Sequence, residues 1–128
     1  MLLDDIRAKL SAAGVFDGST WTCYSGYLPD DQDQVIALFE TPGLPPDTLG
    51  RENEQPSFQV RIRGMRLDYA TARAKAQAAF DCLQDAQAGA GLLSGYTFIQ
   101  AQHSGPLYWT DDKQRPNFTY NFRVHKTA

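Results

Sequence analysis

Residues 56–83, PSFQVRIRGMRLDYATARAKAQAAFDCL, constrain the fold more than any other stretch. From residue 57 to 63 the alternation is strict: Phe58, Val60 and Ile62 point one way, Gln59, Arg61 and Arg63 the other. Period two, with branched and aromatic side chains on one face, predicts a half-buried strand. Pro56 suits its first position, where a missing N–H does least harm. Gly64 breaks the pattern, and Asp68 is placed to cap a following helix with its carboxylate. Ala72, Ala76, Ala79, Phe80 and Leu83 recur at helical spacing and predict a helix to about Ala86. Its apolar stripe is thin and rich in alanine, which lets a sheet approach closely. Arg73, Lys75, Asp81 and Asp85 lie off that stripe.

The remaining chain supplies partners for this unit. Residues 2–13 predict a first helix, with Leu3, Ile6, Leu10 and Ala13 on one face, Asp4 and Asp5 in the first turn where the helix dipole favours them, and Gly14 just past the end. Residues 21–27 (WTCYSGY) predict a strand that Pro29 stops. Asp30, Asp31 and Asp33 follow in an acidic loop. Alternate acids invite a calcium reading, but the D-x-[DN]-x-[DN]-G frame and its distal Glu are missing, so a solvated turn is expected. Residues 34–40 (QVIALFE) predict a buried strand. Residues 41–55 hold three prolines and two glycines in a loop of a length that is uncommon in a small domain and is often functional; they are read as a partner-binding arm.

Residues 96–103 (YTFIQAQH) predict another strand, ended by Gly105-Pro106. Residues 107–114 are read as a polar loop carrying Tyr108 and Trp109, aromatics that either fold back as core, the preferred reading, or anchor an interface. Residues 117–124 (NFTYNFRV) alternate again, with Phe118, Tyr120, Phe122 and Val124 on one face. This strand and residues 57–63 share an apolar face and an arginine face, so the two are expected to be neighbours. The fold class is therefore α+β: a mostly antiparallel sheet of four to five strands with two helices on one face, in a single domain of 128 residues.

The charge is unevenly placed. Residues 1–55 hold ten acids and three bases, and residues 56–128 hold five acids and nine bases, giving a net −3. Such asymmetry suits either a solvated surface or association of an acidic patch on one copy with a basic patch on the next. The overall sign argues against a dedicated duplex-DNA binder. No apolar run reaches transmembrane length, and the N-terminus lacks a basic signal region, which points to a cytosolic product. Cys23 and Cys82 have no zinc-type spacing and read as buried free thiols.

Chemistry is hard to find. His103 and His125 are the two histidines. A His103-Ser104 pair adjacent in sequence is no triad, because nucleophilic catalysis needs a third, orienting group. Asp111 and Asp112 read as solvated loop acids. Neither GxSxG, HExxH nor a P-loop occurs. No enzyme, metal or cofactor is expected. Arg61, Arg63 and Arg66, with Arg51, Arg115 and Arg123, form a candidate basic surface without a nucleic-acid module.

Three ordered stretches carry a resemblance: YSGYLPDDQDQVIALFETPG, QPSFQVRIRGMRLDYATARAKAQAAFDCL and DDKQRPNFTYNFRV, together spanning most of residues 24–124. They look like the strand–Pro-Asp turn–strand, the Arg-Gly strand with its Tyr-Ala helix, and the Asp-x-x-x-Arg-Pro-x-Phe closing strand of tail terminator (tail-completion) and minor capsid proteins of long-tailed bacteriophages. The resemblance implies a homohexameric ring, made in the host cytoplasm and placed at the tail–neck junction of the virion. The ring would sit on the tail tube protein, stop tube polymerisation and meet the head-side connector, while DNA passes through its lumen without sequence-specific binding. No membrane is involved. It implies structural roles for Arg63-Gly64 and Arg115-Pro116. Charge asymmetry adds candidate subunit or tube contacts: Asp30, Asp31, Asp33, Arg51, Glu52, Glu54, Arg61, Arg63, Arg66 and Trp109. The alternatives are another neck or head-completion protein, or a small regulatory or ligand-binding domain outside the virion.

Overall fold

A computed structural model describes residues 2–41, 57–84, 96–102 and 105–126. They form α1 (Leu2–Ala12), β1 (Thr22–Ser25), β2 (Val35–Thr41), β3 (Ser57–Arg63), α2 (Tyr69–Gln84), β4 (Tyr96–Ala101), β5 (Leu107–Thr110) and β6 (Pro116–Lys126). The sheet runs β1-β2-β3-β6-β4, with β5 also on β6. Every pairing is antiparallel except β1 with β2, which is parallel. Both helices cover one face, so the α+β expectation holds with six strands rather than four to five.

The two alternating segments are neighbours. Phe58 faces Phe122, Val60 faces Tyr120 and Ile62 faces Phe118 across β3 and β6. All six are essentially inaccessible to water, and the Phe58 and Phe122 rings stack 5.2 Å apart at 14°. Against this floor α2 lays Ala72, Ala76, Ala79 and Leu83, all buried, and α1 adds Ile6 and Leu10. The alanines bring α2 close enough for Phe80 to reach the Tyr120 ring at 4.9 Å.

Local chemistry sets the helix ends. The Asp68 carboxylate accepts the Thr71 N–H at 3.3 Å, the expected N-cap. Substituting Asp68→Ala should cost about 1 kcal/mol in a urea melt, with an unchanged denaturant slope. At the end of α1, Val15 donates to the Leu10 carbonyl at 3.0 Å around Gly14, whose φ of 76° is left-handed. The next turn is built by Asp17, whose Oδ1 accepts from the N–H groups of Ser19 and Thr20, both at 2.9 Å, and Trp21 at 3.2 Å. Lys75 of α2 ties this turn down, donating to the Val15 carbonyl at 2.8 Å with its ammonium over the Trp21 ring.

Two elements depart from expectation. β1 is shorter than residues 21–27, because Gly26 turns out of it at a φ of 87° while donating to the Leu38 carbonyl. Residues 107–110 are a strand, not loop. β4 and β5 share one edge of the long β6: β4 pairs with its C-terminal half and β5 with its N-terminal half. The link from β1 to β2 must return to the start of the sheet, and it does so across the face opposite the helices. That link contains the acidic loop.

Candidate assembly surfaces

β3 alternation aims Arg63 at the face opposite the helices, where solvent is expected. Instead it is buried at 3% exposure, because the β1–β2 link lies over it. Its Nη2 donates to the carbonyls of Pro29 and Gln32. Arg115, 2% exposed at the start of β6, does the same with side chains. Its guanidinium bonds Asp30 at 2.8 Å, Asp111 at 2.9 Å and Asp33 at 3.3 Å, and also the Asp30 carbonyl at 3.0 Å. Asp111 Oδ1 in turn accepts the Arg115 N–H at 2.9 Å and the Lys113 N–H at 3.0 Å. Lys113 reaches Asp30 at 2.6 Å. The acidic loop is thus clamped by two buried arginines, Arg63 holding it to the end of β3 and Arg115 to the start of β6.

This corrects the solvated reading of Asp111, which is 13% exposed; Asp30 and Asp33 stay 73% and 52% exposed, as in a solvated turn, and pair with Arg115 as well. Asp31 is exposed on the same loop. Nor do these carboxylates form a metal site: their oxygens are turned to Arg115 and Lys113, and among the described residues no three metal-type ligands come together. The Asp-x-x-x-Arg spacing of Asp111 and Arg115 was a usable signal for the clamp. Nothing in the sequence pointed Arg63 at the Pro29 and Gln32 carbonyls.

The electrostatics follow from these contacts. Hydrogen bonds from Lys113 and then Arg115 hold the Asp30 pKa below its ordinary value. Burial works against the Asp111 carboxylate, yet the N–H and guanidinium of Arg115 bring its pKa below ordinary as well. Burial also opposes charge on Arg115, but Asp30, Asp111 and Asp33 raise its pKa. Arg63 is lowered by burial and then by Arg115. Carboxylates with depressed native pKa values stabilise above the unfolded value, near 4, and that contribution is lost as pH falls below it. Thermal stability should therefore drop as pH falls from about 4 through the depressed native pKa values, and Asp111→Asn should make that drop shallower.

The other expected site residues are scattered. Arg61 is half-buried on the face opposite the helices, bonded to Gln59 at 2.8 Å and lying over the Phe39 ring. Arg66 is exposed beside the β5–β6 turn, where it donates to the Gln114 amide oxygen at 2.7 Å. Trp109 is 42% exposed on β5, and its neighbours Leu107 and Tyr108 are 56% and 53% exposed. These aromatics are not core, although Tyr108 packs on Phe118 and edge-on to Tyr69. Arg51, Glu52, Glu54 and the arm of residues 41–55 beyond Thr41 lie outside the described residues, as do His103 and the side chain of His125.

The charge asymmetry of the sequence is only partly a separation in space, because Asp30 and Asp33 of the acidic half pair with Arg115 of the basic half. α1, β1 and β2 come from the acidic first half and occupy one end of the sheet; β6, β4 and β5 come from the basic second half and occupy the other.

A model of the bacteriophage tail terminator protein family matches residues 9–128. The chain belongs to that family. As a tail terminator family member it is a structural virion protein of the bacteriophage type. A chain of the solved structure described as "Virion of native gene transfer agent (GTA) particle" has the same fold, with a TM-score of 0.66 at 17% identity, over 96% of this chain and 92% of that one. A search of curated protein sequences found no match. The Arg63-Gly64 and Arg115-Pro116 pairs hold the subunit together, as the resemblance implied. No described helix is long and apolar enough to cross a membrane.

Proposed function

We propose that this chain is the ring that ends the tail. Copies assemble head to tail into a homohexamer that caps the tail tube at the tail–neck junction, stops further tube growth and offers its opposite surface to the head-side connector. Genomic DNA passes through the lumen without sequence-specific contact. The family match over residues 9–128 carries this reading. A closed ring needs two different, complementary surfaces on each subunit. Arg61, Arg66, Trp109, Asp30, Asp31 and Asp33 are the described candidates for subunit or tube contacts, with Arg51, Glu52 and Glu54 of the arm. Arg63 and Arg115 act inside the subunit and are not among them. No step in this role is catalytic.

Electron microscopy of purified protein mixed with tail tubes tests the reading. A ring of density at one tube end, with tubes that no longer lengthen on adding tube protein, is expected. Tubes that lengthen at an unchanged rate with the protein present would contradict it.

A further inference from the structure

The sheet has a knob at one edge and a groove at the other. The knob is β5. Asp111 donates its N–H to the Arg115 carbonyl at 3.2 Å, and the antiparallel alternation then turns the N–H and C=O groups of Leu107 and Trp109 toward β6 and those of Tyr108 and Thr110 away from it. Large apolar side chains stand exposed along this strand, with Trp109 and Leu107 together on the face opposite the helices. Leu67, 71% exposed at a φ of 60°, borders the same turn, as does Arg66. Exposed apolar clusters of this kind mark contact surfaces.

The groove lies at the other end of the sheet, where the first turn of α1 meets the ends of β1 and β2. Its volume is about 410 Å³, and Leu3, Asp4, Ser25, Gly26, Phe39 and Glu40 line it. Leu3 and Phe39 make apolar walls, while Asp4 and Glu40 put two carboxylates on the rim. The Ser25 Oγ is buried, with no hydrogen-bond partner among the described residues. Knob and groove stand several strands apart in one sheet, roughly 5 Å per strand, so they cannot meet within a subunit.

We infer that Trp109 of one copy seats in this groove of the next. An indole offers a large, flat apolar body, which matches the apolar walls of Leu3 and Phe39. Arg66 beside the knob faces the acidic rim formed by Asp4 and Glu40. The β1 edge is less suited to receive a strand, because Arg7 already donates to its Cys23 carbonyl at 3.3 Å. A knob and a groove on different surfaces make a head-to-tail interface, the kind that closes into rings. The inference rests on the ring reading and adds which residues form the joint.

Two variants test it with the full chain. Trp109→Ser removes the knob and keeps the groove, and Asp4→Lys with Glu40→Lys reverses the groove rim and keeps the knob. All three positions are exposed, so wild-type circular dichroism is expected. Each variant alone should need at least about tenfold more protein to form rings, while Trp109→Phe should still form them. Mixed together, the two variants retain one working joint and should give a 1:1 dimer by size-exclusion chromatography with light scattering. Rings that persist in either variant at wild-type concentrations, or a mixture that stays monomeric, would overturn the joint and leave the ring standing. Wild-type protein that forms no ring, with or without tail tubes, would overturn both.

Discussion

Arg115→Ala should destabilise the subunit by about 2–4 kcal/mol, the largest loss expected from any polar substitution outside the apolar core. The side chain is almost fully buried and holds three carboxylates and a carbonyl. Removing it leaves Asp111, only 13% exposed, with its charge uncompensated, which is the costly part. Asp30 and Asp33 are 73% and 52% exposed and can return to water, so their share is small. Arg115→Lys should recover less than half of the loss, because one ammonium cannot span the positions that a planar fork reaches. Loss of the clamp also frees the link between β1 and β2. The melting temperature and the hydrogen-exchange protection of residues 35–38 should therefore fall together. A change under about 0.5 kcal/mol would mean that the clamp contributes no more than a surface ion pair.

Gly64→Ala should cost about 1–3 kcal/mol by overpacking. An added Cβ would stand 2.6 Å from the Ala72 Cβ and 3.3 Å from the Pro116 ring. Neither neighbour is the end of a flexible side chain, so α2 or the start of β6 must shift. The Gly64 N–H also donates to the Pro116 carbonyl at 3.0 Å, which resists that shift. Glycine is needed here for close approach, not for an unusual φ. Pairing the change with Ala72→Gly should recover part of the loss, and a double-mutant cycle in urea measures the coupling.

How much of this was legible depended on whether a residue's environment is set by its own segment. β3, β6 and the two helices show their period in the chain and β2 its apolar run, and the shared face pattern of β3 and β6 even marks them as neighbours. β5 shows no alternation because all four of its residues are exposed; it is a strand only through pairing with β6. The parallel joint of β1 and β2 is likewise a tertiary fact. Alternation assigned Arg63 to the outward face correctly, but it cannot report that the link carrying Pro29 and Gln32 covers that part of the face. The pairing of Asp30 and Asp33 with Arg115 was not legible because the partners stand eighty-odd residues apart. Trp109 was visible as a candidate anchor, whereas the groove proposed to receive it draws on α1, β1 and β2 and exists only once they meet.

The central claim concerns the end of the tail, and tail length measures it most directly. Particles should be produced by cells in which the gene for this chain is deleted and the rest of the particle genome is intact, then imaged by negative stain. Tubes of widely spread length, many far longer than normal and without heads, are the predicted result, with the normal length restored by supplying the chain in trans. Tails of uniform, normal length joined to heads in its absence would contradict the account.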